Sequence, residues 1–433
     1  LLTHTAPNAA FRGFGAPQVL YAVERQMDQV CRKVGMDPLS FRLQNACGPG
    51  DKLATDQELL PDASARQCLE AVEQRTGFRK RWLELEAARA RRQDGEPLRG
   101  IGLALYYHGA GFTGSGEHRM ASPVTVRLTE DGRIEVLTVQ TDMGQGCIVV
   151  LPQIAADAAG VGLDDVVFPD PDTAVAPDSG PTVASRTTMV VGGTVAKAVT
   201  ALRDQVLEWA AEEHGLTHPL GVRDGMIHGT PEPIPFQEVA RACFASEGDL
   251  ELTVHHQPPA WQVFDDTTYH GVAYATYGWG ADVVEVEVDP DTLEVKPLHA
   301  TVACEVGRVI HPTLCRGQIE GGTLQAIAWG YLEEVKLKDG HYLNDRLQTY
   351  IIPTIQDTPR MDVLLLENPW EGGAFGAKGV GELPMDGGAP ALVAAIENAT
   401  GIVAPDIPAT PEKLMGWRKE GRMLRATETG HAR

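Results

Sequence analysis

The sequence has no long apolar run and no surplus of positive charge, and these two absences exclude two large classes of protein. No stretch of its 433 residues approaches the roughly 18 apolar residues that a membrane-spanning helix needs. Lys and Arg number 37 against 59 Asp and Glu, a formal net charge of −22, whereas proteins that hold the nucleic-acid backbone concentrate basic residues. We therefore expect a soluble protein that binds neither a membrane nor nucleic acid.

Cysteine is scarce and scattered. The seven cysteines are odd in number and include no close pair at the spacing of a zinc or iron–sulfur site. They predict reduced, mostly buried thiols in a cytoplasmic protein. His214 and His218 are four residues apart, but Gly215 and Pro219 favour a loop over a metal-binding helix face. We predict no metal that is ligated by protein side chains.

Common nucleotide-binding and hydrolase motifs are missing as well. The sequence has no phosphate-binding loop ending in Gly-Lys-Ser/Thr, no Gly-x-Ser-x-Gly elbow and no His-Glu-x-x-His pair. Residues 109–114 have the glycine spacing of a dinucleotide fold after an expected strand. Because we expect a second strand, and no helix, after residues 115–117, the context that this motif requires is absent. Nicotinamide binding is not predicted.

The first part of the chain has the apolar periodicity of helices. Apolar residues at helical spacing predict a helix over residues 17–34, which opens with Pro17 and ends at Gly35, and a second helix over about 65–92. A strand is predicted over residues 101–107.

Beyond residue 97 the pattern alternates strands with long helices. Alternating apolar residues on both sides of Asp-containing turns predict hairpins over 124–136 and 283–295. Long helices are predicted near residues 147–160, 188–212, 313–331 and 388–399. This alternation is typical of an α+β fold.

The chain length suggests two or three domains. We interpret residues 1–90 as a small helical piece, residues 97–405 as a larger α+β domain, and residues 406–433 as a tail. Similar strand and helix patterns favour a division of the larger domain into halves at about 97–245 and 270–405, although the sequence contains no clean repeat.

Four glycine-rich polar segments interrupt this pattern. Glycine lets the backbone approach a ligand closely, and neighbouring Ser, Thr and Gln side chains with helix-starting N–H groups can hold a phosphate or a polycyclic polar cofactor. Each segment alone is more simply a turn, but four on one chain favour a large ligand. They are residues 10–15, 142–146, 179–187 and 372–382.

These segments closely resemble the molybdenum hydroxylases of the xanthine dehydrogenase and aldehyde oxidase family, from Thr5 to about Leu414. The resemblance implies xanthine-dehydrogenase-type molybdenum-cofactor-binding domains with mixed sheets and packed helices. Residues 1–90 would finish a first molybdopterin-binding domain, and residues 97–405 would form a second. The matching motifs are Asn8–Gly15 with Pro17 and Gln18, Met143–Gly146, Thr182–Ser185, Gly307–Gly322 and Gly376–Glu382.

The resemblance implies a cofactor that the protein holds by hydrogen bonds and positioning. In this family molybdenum is bound by the dithiolene of molybdopterin, alone or as its cytosine dinucleotide, and not by protein side chains. Gly144, Gln145 and Gly146 resemble the loop that binds the pterin and its phosphate. The other residues that resemble cofactor-binding positions are Ala10, Phe11, Arg12, Thr182, Ala184, Ser185, Thr187, Lys378 and Gly379.

The resemblance also implies a catalytic base, Glu382, at the end of its glycine-rich motif. In the family, this carboxylate takes a proton from a hydroxyl group on molybdenum, so that the oxygen attacks an electron-poor carbon while a hydride moves to a sulfur on the metal. We expect an apolar pocket to raise the pKa of Glu382 toward the working pH.

Aromatic residues in the motifs indicate a class of substrate. Phe14 and Phe112 resemble the phenylalanines that sandwich a flat heterocycle in the xanthine-oxidising members. Thr113, Arg12 and Ala184 resemble further substrate-side positions. The expected function is hydroxylation of a purine or related N-heterocycle with water as the oxygen source. An aldehyde-oxidising enzyme and a non-catalytic, cofactor-cradling subunit remain alternatives.

Two departures from the family pattern bear on the substrate. Leu383 and Pro384 follow the base where two prolines are frequent, and Arg186 stands where a small residue is usual.

The chain lacks parts that the family needs. The Gly-Gly-Phe-Gly-Gly motif and the glutamine of the first cofactor half, the iron–sulfur cysteines and a flavin domain are absent, and the sequence starts without Met inside a resembling segment. We expect the site to be completed by a companion chain or by a missing N-terminal segment. Electrons are expected to leave through an iron–sulfur subunit and, where one is present, an FAD subunit.

Overall fold

A computed structural model describes residues 8–91, 95–213, 215 and 220–424. His214, His218 and the end of the predicted tail lie outside the described residues. Within those ranges, helices alternate with strands of mixed sheets, so the predicted α+β class is confirmed.

The helices are α1 Ala16–Val34, α2 Pro38–Asn45, α3 Ala65–Thr76, α4 Phe78–Arg91, α5 Gly116–Met120, α6 Cys147–Ala159, α7 Gly192–Glu213, α8 Phe236–Glu247, α9 Pro312–Tyr331, α10 Gly388–Thr400 and α11 Pro411–Lys419. The strands are β1 Leu98–Gly109, β2 Val124–Leu128, β3 Ile134–Leu137, β4 Val166–Val167, β5 Gly221–Arg223, β6 Met226–His228, β7 Ile234–Pro235, β8 Glu251–Val254, β9 Phe264–Asp265, β10 His270–Gly271, β11 Tyr277–Val288, β12 Val295–Glu305, β13 Leu337–Lys338, β14 His341–Tyr342 and β15 Arg360–Leu366. A π-helical turn, Thr187–Val191, precedes α7, and a 3-10 turn, Leu383–Met385, precedes α10.

Two four-stranded sheets organise these elements in the same way. In the first sheet, β11 is antiparallel to β1 and to β12, and β15 runs parallel to β12. In the second sheet, β2 is antiparallel to β8 and to β3, and β4 runs parallel to β3. In each sheet a crossover helix, α9 or α6, joins the hairpin to the parallel strand, and a further helix, α10 or α7, follows. The two parts of the chain therefore share one order of elements.

Strand β1 complicates a division of the chain into consecutive halves. It precedes every strand of the second sheet, yet it pairs along its whole length with β11 of the first sheet, from Leu98 opposite Val288 to Gly109 opposite Tyr277. The proposed halves at 97–245 and 270–405 stay an interpretation, with β1 assigned by its pairing to the later half.

Helix α10 lies directly on β1 because glycine occupies the contact. A Cβ atom on Gly100 or Gly102 would collide with the carbonyl oxygens of Ala395 and Ala391, so any larger residue would push the helix away. Since α10 follows the 3-10 turn, this packing also fixes the segment that ends at Asp386.

The early helices share a core with the same sheet. Phe78 of α4 is fully buried in one apolar cluster with Ile101 of β1 and Trp279 of β11. The second sheet has a separate core with α6 and α7, which includes Ile154 and Leu202. The separation of residues 1–90 from 97–405 therefore stays an interpretation, because the early helices cover a face of the later sheet.

Most predicted elements are confirmed, including both hairpins and the four long helices beyond residue 97. The single helix predicted over 65–92 is wrong, because Gly77 adopts a left-handed conformation, with φ of 63°, and separates α3 from α4. Helix α2 was not predicted; the Asp37 side chain caps it by accepting a hydrogen bond from the Ser40 amide at 2.8 Å.

A second correction concerns the segment after residue 114. The predicted strand there is wrong, because residues Gly116–Met120 form the short helix α5 before β2 begins. The Glu117 side chain accepts a hydrogen bond from the Phe112 amide at 2.9 Å, and this contact folds the segment back on itself.

Three global properties bear on the sequence predictions. No helix in the described ranges is both long and apolar enough to cross a membrane. The seven cysteines are free, and most of them are buried, as predicted. Among the described residues, no cluster of His, Cys, Asp and Glu is arranged to hold a metal ion.

Candidate active site

The Glu382 carboxylate lies where three distant segments meet. Its Oε1 accepts a hydrogen bond from the Gly13 amide at 3.1 Å, and its Oε2 accepts one from the Ser185 hydroxyl at 3.2 Å. The Glu382 amide in turn donates to the Ser185 Oγ at 3.0 Å. The fold thus brings the glycine-rich segments around residues 10–15, 179–187 and 372–382 together at one carboxylate.

A histidine and a second carboxylate complete the surroundings of Glu382. The His108 Nε2 lies 3.6 Å from the Glu382 Oε2, and the His108 Nδ1 is 2.8 Å from the Asp386 Oδ2. The His108 and Glu382 side chains are 12% and 15% exposed, whereas that of Asp386 is fully buried. Glu382 is therefore the member of the group that solvent or a ligand reaches most easily.

The surroundings of Glu382 are polar, whereas the sequence predicted an apolar pocket. Burial raises its pKa, but the hydrogen bond and charge of His108, the Gly13 amide and the Ser185 hydroxyl together outweigh burial, so the pKa lies below its ordinary value. The expected upward shift is wrong, because polar donors and a cation surround the carboxylate. Glu382 is ionised at neutral pH and able to accept a proton.

The two partners of Glu382 have shifted pKa values of their own. Burial alone would lower the pKa of His108, but hydrogen bonds and charges from Asp386 and Glu382 raise it to about 9. Burial raises the pKa of Asp386 to about 6 against the opposing effect of His108. At neutral pH the group is an imidazolium between two carboxylates. His108 and Asp386 were not predicted from the sequence, since neither lies in a recognisable motif and only pairing in space joins them.

Arg12 anchors the first segment beside the carboxylate. Its Nε donates to the Gly381 carbonyl at 2.5 Å, and its Nη2 donates to the Gln318 carbonyl at 2.9 Å and to the Gln318 Oε1 at 3.2 Å. Burial lowers the pKa of Arg12, and the charge of Glu382 opposes that effect. Arg12 thus lies beside Glu382, and its guanidinium is largely occupied by protein acceptors.

The segment that carries Ala184 and Ser185 is strained. Both residues have left-handed backbone conformations, with φ of 54° and 53°, which non-glycine residues rarely adopt. The Ala184 carbonyl accepts a hydrogen bond from the Gly111 amide at 2.9 Å. A Cβ atom on Gly379 would collide with the Ser185 carbonyl oxygen, so glycine is required there. This close contact places the Ser185 hydroxyl against Glu382.

The predicted pterin-binding loop forms an exposed turn at the start of α6. The Gln145 side chain braces the turn, because its Oε1 accepts from the Met143 amide at 2.7 Å and its Nε2 donates to the Thr141 carbonyl at 2.8 Å. Gly144 has φ of 106°, and a Cβ atom on it would meet no atom within 4 Å. Gly146, the third predicted residue, is the left-handed N-cap of α6. The turn therefore leaves space for a ligand beside Gly144, while the Gly144 and Ile148 amides donate to the Asp142 carboxylate at 2.7 and 3.3 Å.

Gln140, which was not predicted from the sequence, links this turn to the next segment. Its Oε1 accepts hydrogen bonds from Thr187 at 2.7 Å and Thr182 at 3.3 Å, and its Nε2 donates to the Gly180 carbonyl at 2.9 Å. The Thr182 hydroxyl also accepts from the Thr141 amide at 2.8 Å. A fully buried glutamine thereby joins two predicted cofactor segments.

The aromatic residues predicted to contact substrate have different surroundings. Phe14 has φ of 44° and is 74% exposed. Phe11 and Ala10, in the same segment, are also exposed. Phe112 is half-buried, with the Arg186 guanidinium 5.8 Å from its ring centre, and Thr113 hydrogen-bonds to the Tyr274 hydroxyl.

Arg186, the departure noted in the sequence, is a buried structural cation. Its Nη2 lies 2.9 Å from the Glu117 Oε2, and its Nη1 donates to the Ser179 carbonyl at 3.0 Å. Ser122 accepts a further hydrogen bond. The guanidinium therefore joins the Ser179–Thr187 segment to the loop that carries Phe112, which explains how a large residue is accommodated there.

Lys378 does not face this site. Its ammonium is fully buried between the Glu305 carboxylate at 2.7 Å and the Asp62 carboxylate at 2.8 Å, and it also donates to the Tyr277 carbonyl at 3.2 Å. The predicted cofactor contact of the Lys378 side chain does not match this geometry, because three protein acceptors occupy it. Gly379 lies at the site through its contact with Ser185.

The chain matches known protein families over most of its length. The family model described as a molybdopterin cofactor-binding domain matches residues 72–359, and a second model with the same description matches residues 1–46.

The chain is also similar to individual proteins and to solved structures. The chain is 30% identical to a protein of Bacillus subtilis described as a probable xanthine dehydrogenase subunit, over 96% of this chain and 53% of that protein. It is 29% identical to an aldehyde oxidoreductase of Megalodesulfovibrio gigas, over 94% of this chain and 41% of that protein. The structure of quinoline 2-oxidoreductase from Pseudomonas putida 86 aligns with a TM-score of 0.83 at 26% identity, over 96% of this chain and 53% of that chain. The chain thus spans about half the length of these relatives.

Proposed function

This chain belongs to the molybdopterin cofactor-binding family of molybdenum hydroxylases, and from this premise we propose that it forms part of an enzyme that hydroxylates a purine or related N-heterocycle. Water is the proposed oxygen source. Residues 1–90 are proposed to finish a first cofactor-binding domain, and residues 97–405 to form the second.

The observation that carries the proposal is the setting of Glu382. The carboxylate is ionised, partly exposed and held by a backbone amide, a hydroxyl and an imidazole that come from separate segments. A general base must be ionised, fixed in direction and reachable by its proton donor. A surface glutamate would have no need of such partners.

The residues around Glu382 fit a large polar cofactor held without protein ligands to its metal. The turn at Gly144 leaves room for a ligand to approach the backbone closely. The hydroxyl oxygens of Thr182 and Thr187, which donate their hydrogens to Gln140, remain able to accept hydrogen bonds from a pterin. When bound, molybdopterin-held molybdenum supplies the centre that takes up two electrons from the substrate. We propose these residues, with Gln145, Ser185 and Gly379, as its cradle.

The proposed roles of the side chains follow from their positions. Glu382 accepts the proton released as the water-derived oxygen bonds to an electron-poor carbon. Ser185 and the Gly13 amide fix the direction of the carboxylate, and Arg12 supplies positive charge beside it. In the overall reaction, a substrate C–H group and one water molecule give C–OH, and two electrons and two protons are released.

Two observations favour a flat heterocycle. Phe14 is exposed to a degree that leaves its ring free for contact, and Phe112 is held in place by the Arg186 and Glu117 pair. Relatives include proteins named for xanthine and quinoline. An aldehyde is the second candidate, because a relative of similar identity is named aldehyde oxidoreductase. A non-catalytic, cofactor-cradling role is less consistent with an ionised and accessible Glu382.

The remaining parts of the enzyme are proposed to lie on other segments or chains. Because this chain spans about half the length of its relatives, we propose that a companion segment completes the molybdenum site. An iron–sulfur subunit, and in some arrangements an FAD subunit, would carry away the two electrons.

The test is to purify the native complex and measure its metal, its companion chains and its turnover together. We expect molybdenum and a released pterin, and oxidation of xanthine, hypoxanthine or nicotinate with oxygen derived from labelled water. Oxidation of aldehydes alone would favour the second candidate. A molybdenum-loaded complex that turns over neither class would contradict the proposed function.

A further inference from the structure

Glu382, His108 and Asp386 form a line of three ionisable groups with an increasing degree of burial. Glu382 is partly exposed, His108 lies behind it, and Asp386 is fully buried behind His108. The contact between His108 and Asp386 is the shorter of the two, at 2.8 Å against 3.6 Å. The imidazole is therefore held from behind and presents its Nε2 edge to the carboxylate.

The fold leaves this imidazole little freedom. His108 lies on β1 opposite Gly278 of β11, and a Cβ atom on Gly278 would lie 3.0 Å from a methyl group of Leu383. Strand β11, which pairs with β1 at His108, is thus packed closely against the 3-10 turn that separates Glu382 from Asp386. Backbone pairing and the turn together set the distance from the histidine to both carboxylates.

The Asp386 carboxylate has one free oxygen in this arrangement. Its Oδ1 is buried and has no hydrogen-bond partner within the described residues, and it faces Gly13, where an added Cβ atom would lie 3.5 Å away. A buried carboxylate with a single partner depends on that partner for its charge. The arrangement therefore favours the cationic form of His108 as the counter-charge.

The other charged and titratable groups around this line are few. Arg12 and Tyr274 interact electrostatically with Glu382, and Asp282 interacts with Asp386. The Tyr106 hydroxyl donates to the Asp282 Oδ1 at 2.6 Å. His108 is the only cation in contact with both Glu382 and Asp386 among the described residues.

We propose that Asp386 and His108 act as a positioning pair for the base: Asp386 fixes the imidazolium, which orients the Glu382 carboxylate and keeps it ionised. The proposal rests on the proposed role of Glu382 as the proton acceptor. His108 need not exchange protons during turnover, since its charge alone favours the ionised carboxylate. The charge of His108 would thereby extend activity toward acidic pH.

The sign of the pH effect follows from this arrangement. Glu382 can accept a proton only when ionised, and the adjacent imidazolium lowers its pKa. In the wild-type enzyme, kcat/KM should therefore fall only below the ordinary glutamate range, about pH 4.3. Without the cation the pKa of Glu382 rises, because burial is no longer opposed by His108, and the acidic limb moves to higher pH.

The experiment compares His108→Asn and Asp386→Asn in the complete holoenzyme. Asparagine can place a donor near the position of the His108 Nδ1, so His108→Asn retains a hydrogen bond to Asp386 and removes only the charge. Asp386→Asn retains the histidine but removes its counter-charge. In His108→Asn the acidic limb of kcat/KM should shift upward by about one pH unit or more, the usual effect of a close opposite charge. In Asp386→Asn the limb should move little, because burial raises the pKa of Asp386 to about 6 and this carboxyl group is already neutral where the limb lies. The double variant should shift the limb no further than His108→Asn alone.

The control uses an exposed histidine that makes the same kind of contact with an aspartate. The His270 Nδ1 lies 2.8 Å from the Asp56 Oδ2, with both side chains largely exposed. His270→Asn should leave the pH profile unchanged. A fall in kcat without a shifted limb in His108→Asn would show a purely structural role and overturn the proposal.

A second measurement separates this proposal from the proposed function. Histidine labelled with 13C at Cε1 allows the ring of His108 to be titrated by NMR in the holoenzyme, with the signal assigned by its loss in His108→Asn. We expect the ring to stay protonated up to about pH 9, and Asp386→Asn to lower that midpoint. A ring that titrates at or below about pH 6.5, the ordinary histidine value, would overturn the pair even in an enzyme for which no substrate is found.

Discussion

One glycine-rich segment supplies two charged side chains that have opposite environments. Lys378 is sealed between Glu305 and Asp62 with no exposed surface, whereas Glu382 is partly exposed and contacts a histidine. Burial raises the pKa of Glu305, and Lys378 opposes that shift. The first cluster fixes the segment to the sheet, and the second leaves a carboxylate accessible at its end.

The difference shows how an accessible carboxylate is held without being neutralised. A buried lysine that contacts two carboxylates at less than 3 Å forms a permanent ion pair and leaves no group free to react. Glu382 has neutral donors and a single imidazole at 3.6 Å, so its charge is stabilised while its surface stays open. Within one motif, Lys378 therefore anchors the segment and Glu382 provides an accessible charge.

Glu382→Gln tests this comparison with the largest expected effect. Glutamine keeps an acceptor for the Gly13 amide but is unable to take a proton, so we expect turnover to fall by about 100- to 10,000-fold, the usual contribution of a general base. Bound molybdenum should be unchanged, which metal analysis of the purified variant would check. Glu412→Gln, at an exposed position on α11, is the matched control. Equal turnover in the two variants would remove Glu382 from its proposed role.

For Lys378→Met, in contrast, we expect a change in the free energy of unfolding. Removing the ammonium leaves Glu305 buried without its counter-charge, a change that typically costs about 3–5 kcal/mol of unfolding free energy. Urea unfolding of the full chain, read as a midpoint shift at constant slope, measures it.

A more exposed lysine that forms an ion pair with an aspartate gives the control for that experiment. The Lys413 Nζ lies 2.9 Å from the Asp406 Oδ1, with side chains 30% and 59% exposed. Lys413→Met should change stability by about 1 kcal/mol or less, because water screens the pair. Similar losses in both lysine variants would contradict the distinction between anchor and surface pair.

The smallest expected effect concerns the turn that precedes α6. Gln145→Ala removes two hydrogen bonds that shape the turn, and a loss of roughly 1.4 kcal/mol would weaken cofactor binding about tenfold. Molybdenum and released pterin per protein should fall, while Gln348→Ala, at an exposed position, should retain full content. Full occupancy in Gln145→Ala would exclude this turn from the cofactor cradle.

Local patterns were sufficient to predict most of the fold. Period-two apolar residues around Asp-containing turns gave both hairpins, and helical periodicity gave the long helices, because each depends on neighbours within a few residues. The sequence did not predict the break at Gly77 or the cap at Asp37, because one residue gives a weaker signal than a periodic pattern over many residues. The pairing of β1 with β11 depends on contacts between residues far apart in sequence.

The candidate site was predictable only in part. The motif placed Glu382, and the strained Ser185 and the turn at Gln145 lie in segments that the sequence had singled out. The orientation of Lys378 was not predictable, because a motif gives the order of residues but not the side of the chain on which each one lies. Gln140 was missed for a similar reason, as its hydrogen bonds cross between separate segments.

The sequence by itself determined the α+β pattern, the glycine-rich segments and the identity of the acid that they surround. Only the tertiary structure decided the electrostatic state of that acid. His108 is brought to Glu382 by strand pairing and by the turn before α10. Together with the Gly13 amide and the Ser185 hydroxyl, it reverses the effect that burial alone would have on the pKa of Glu382. A pKa depends on every charge and donor within a few ångströms, and those neighbours are set by the packing of distant segments.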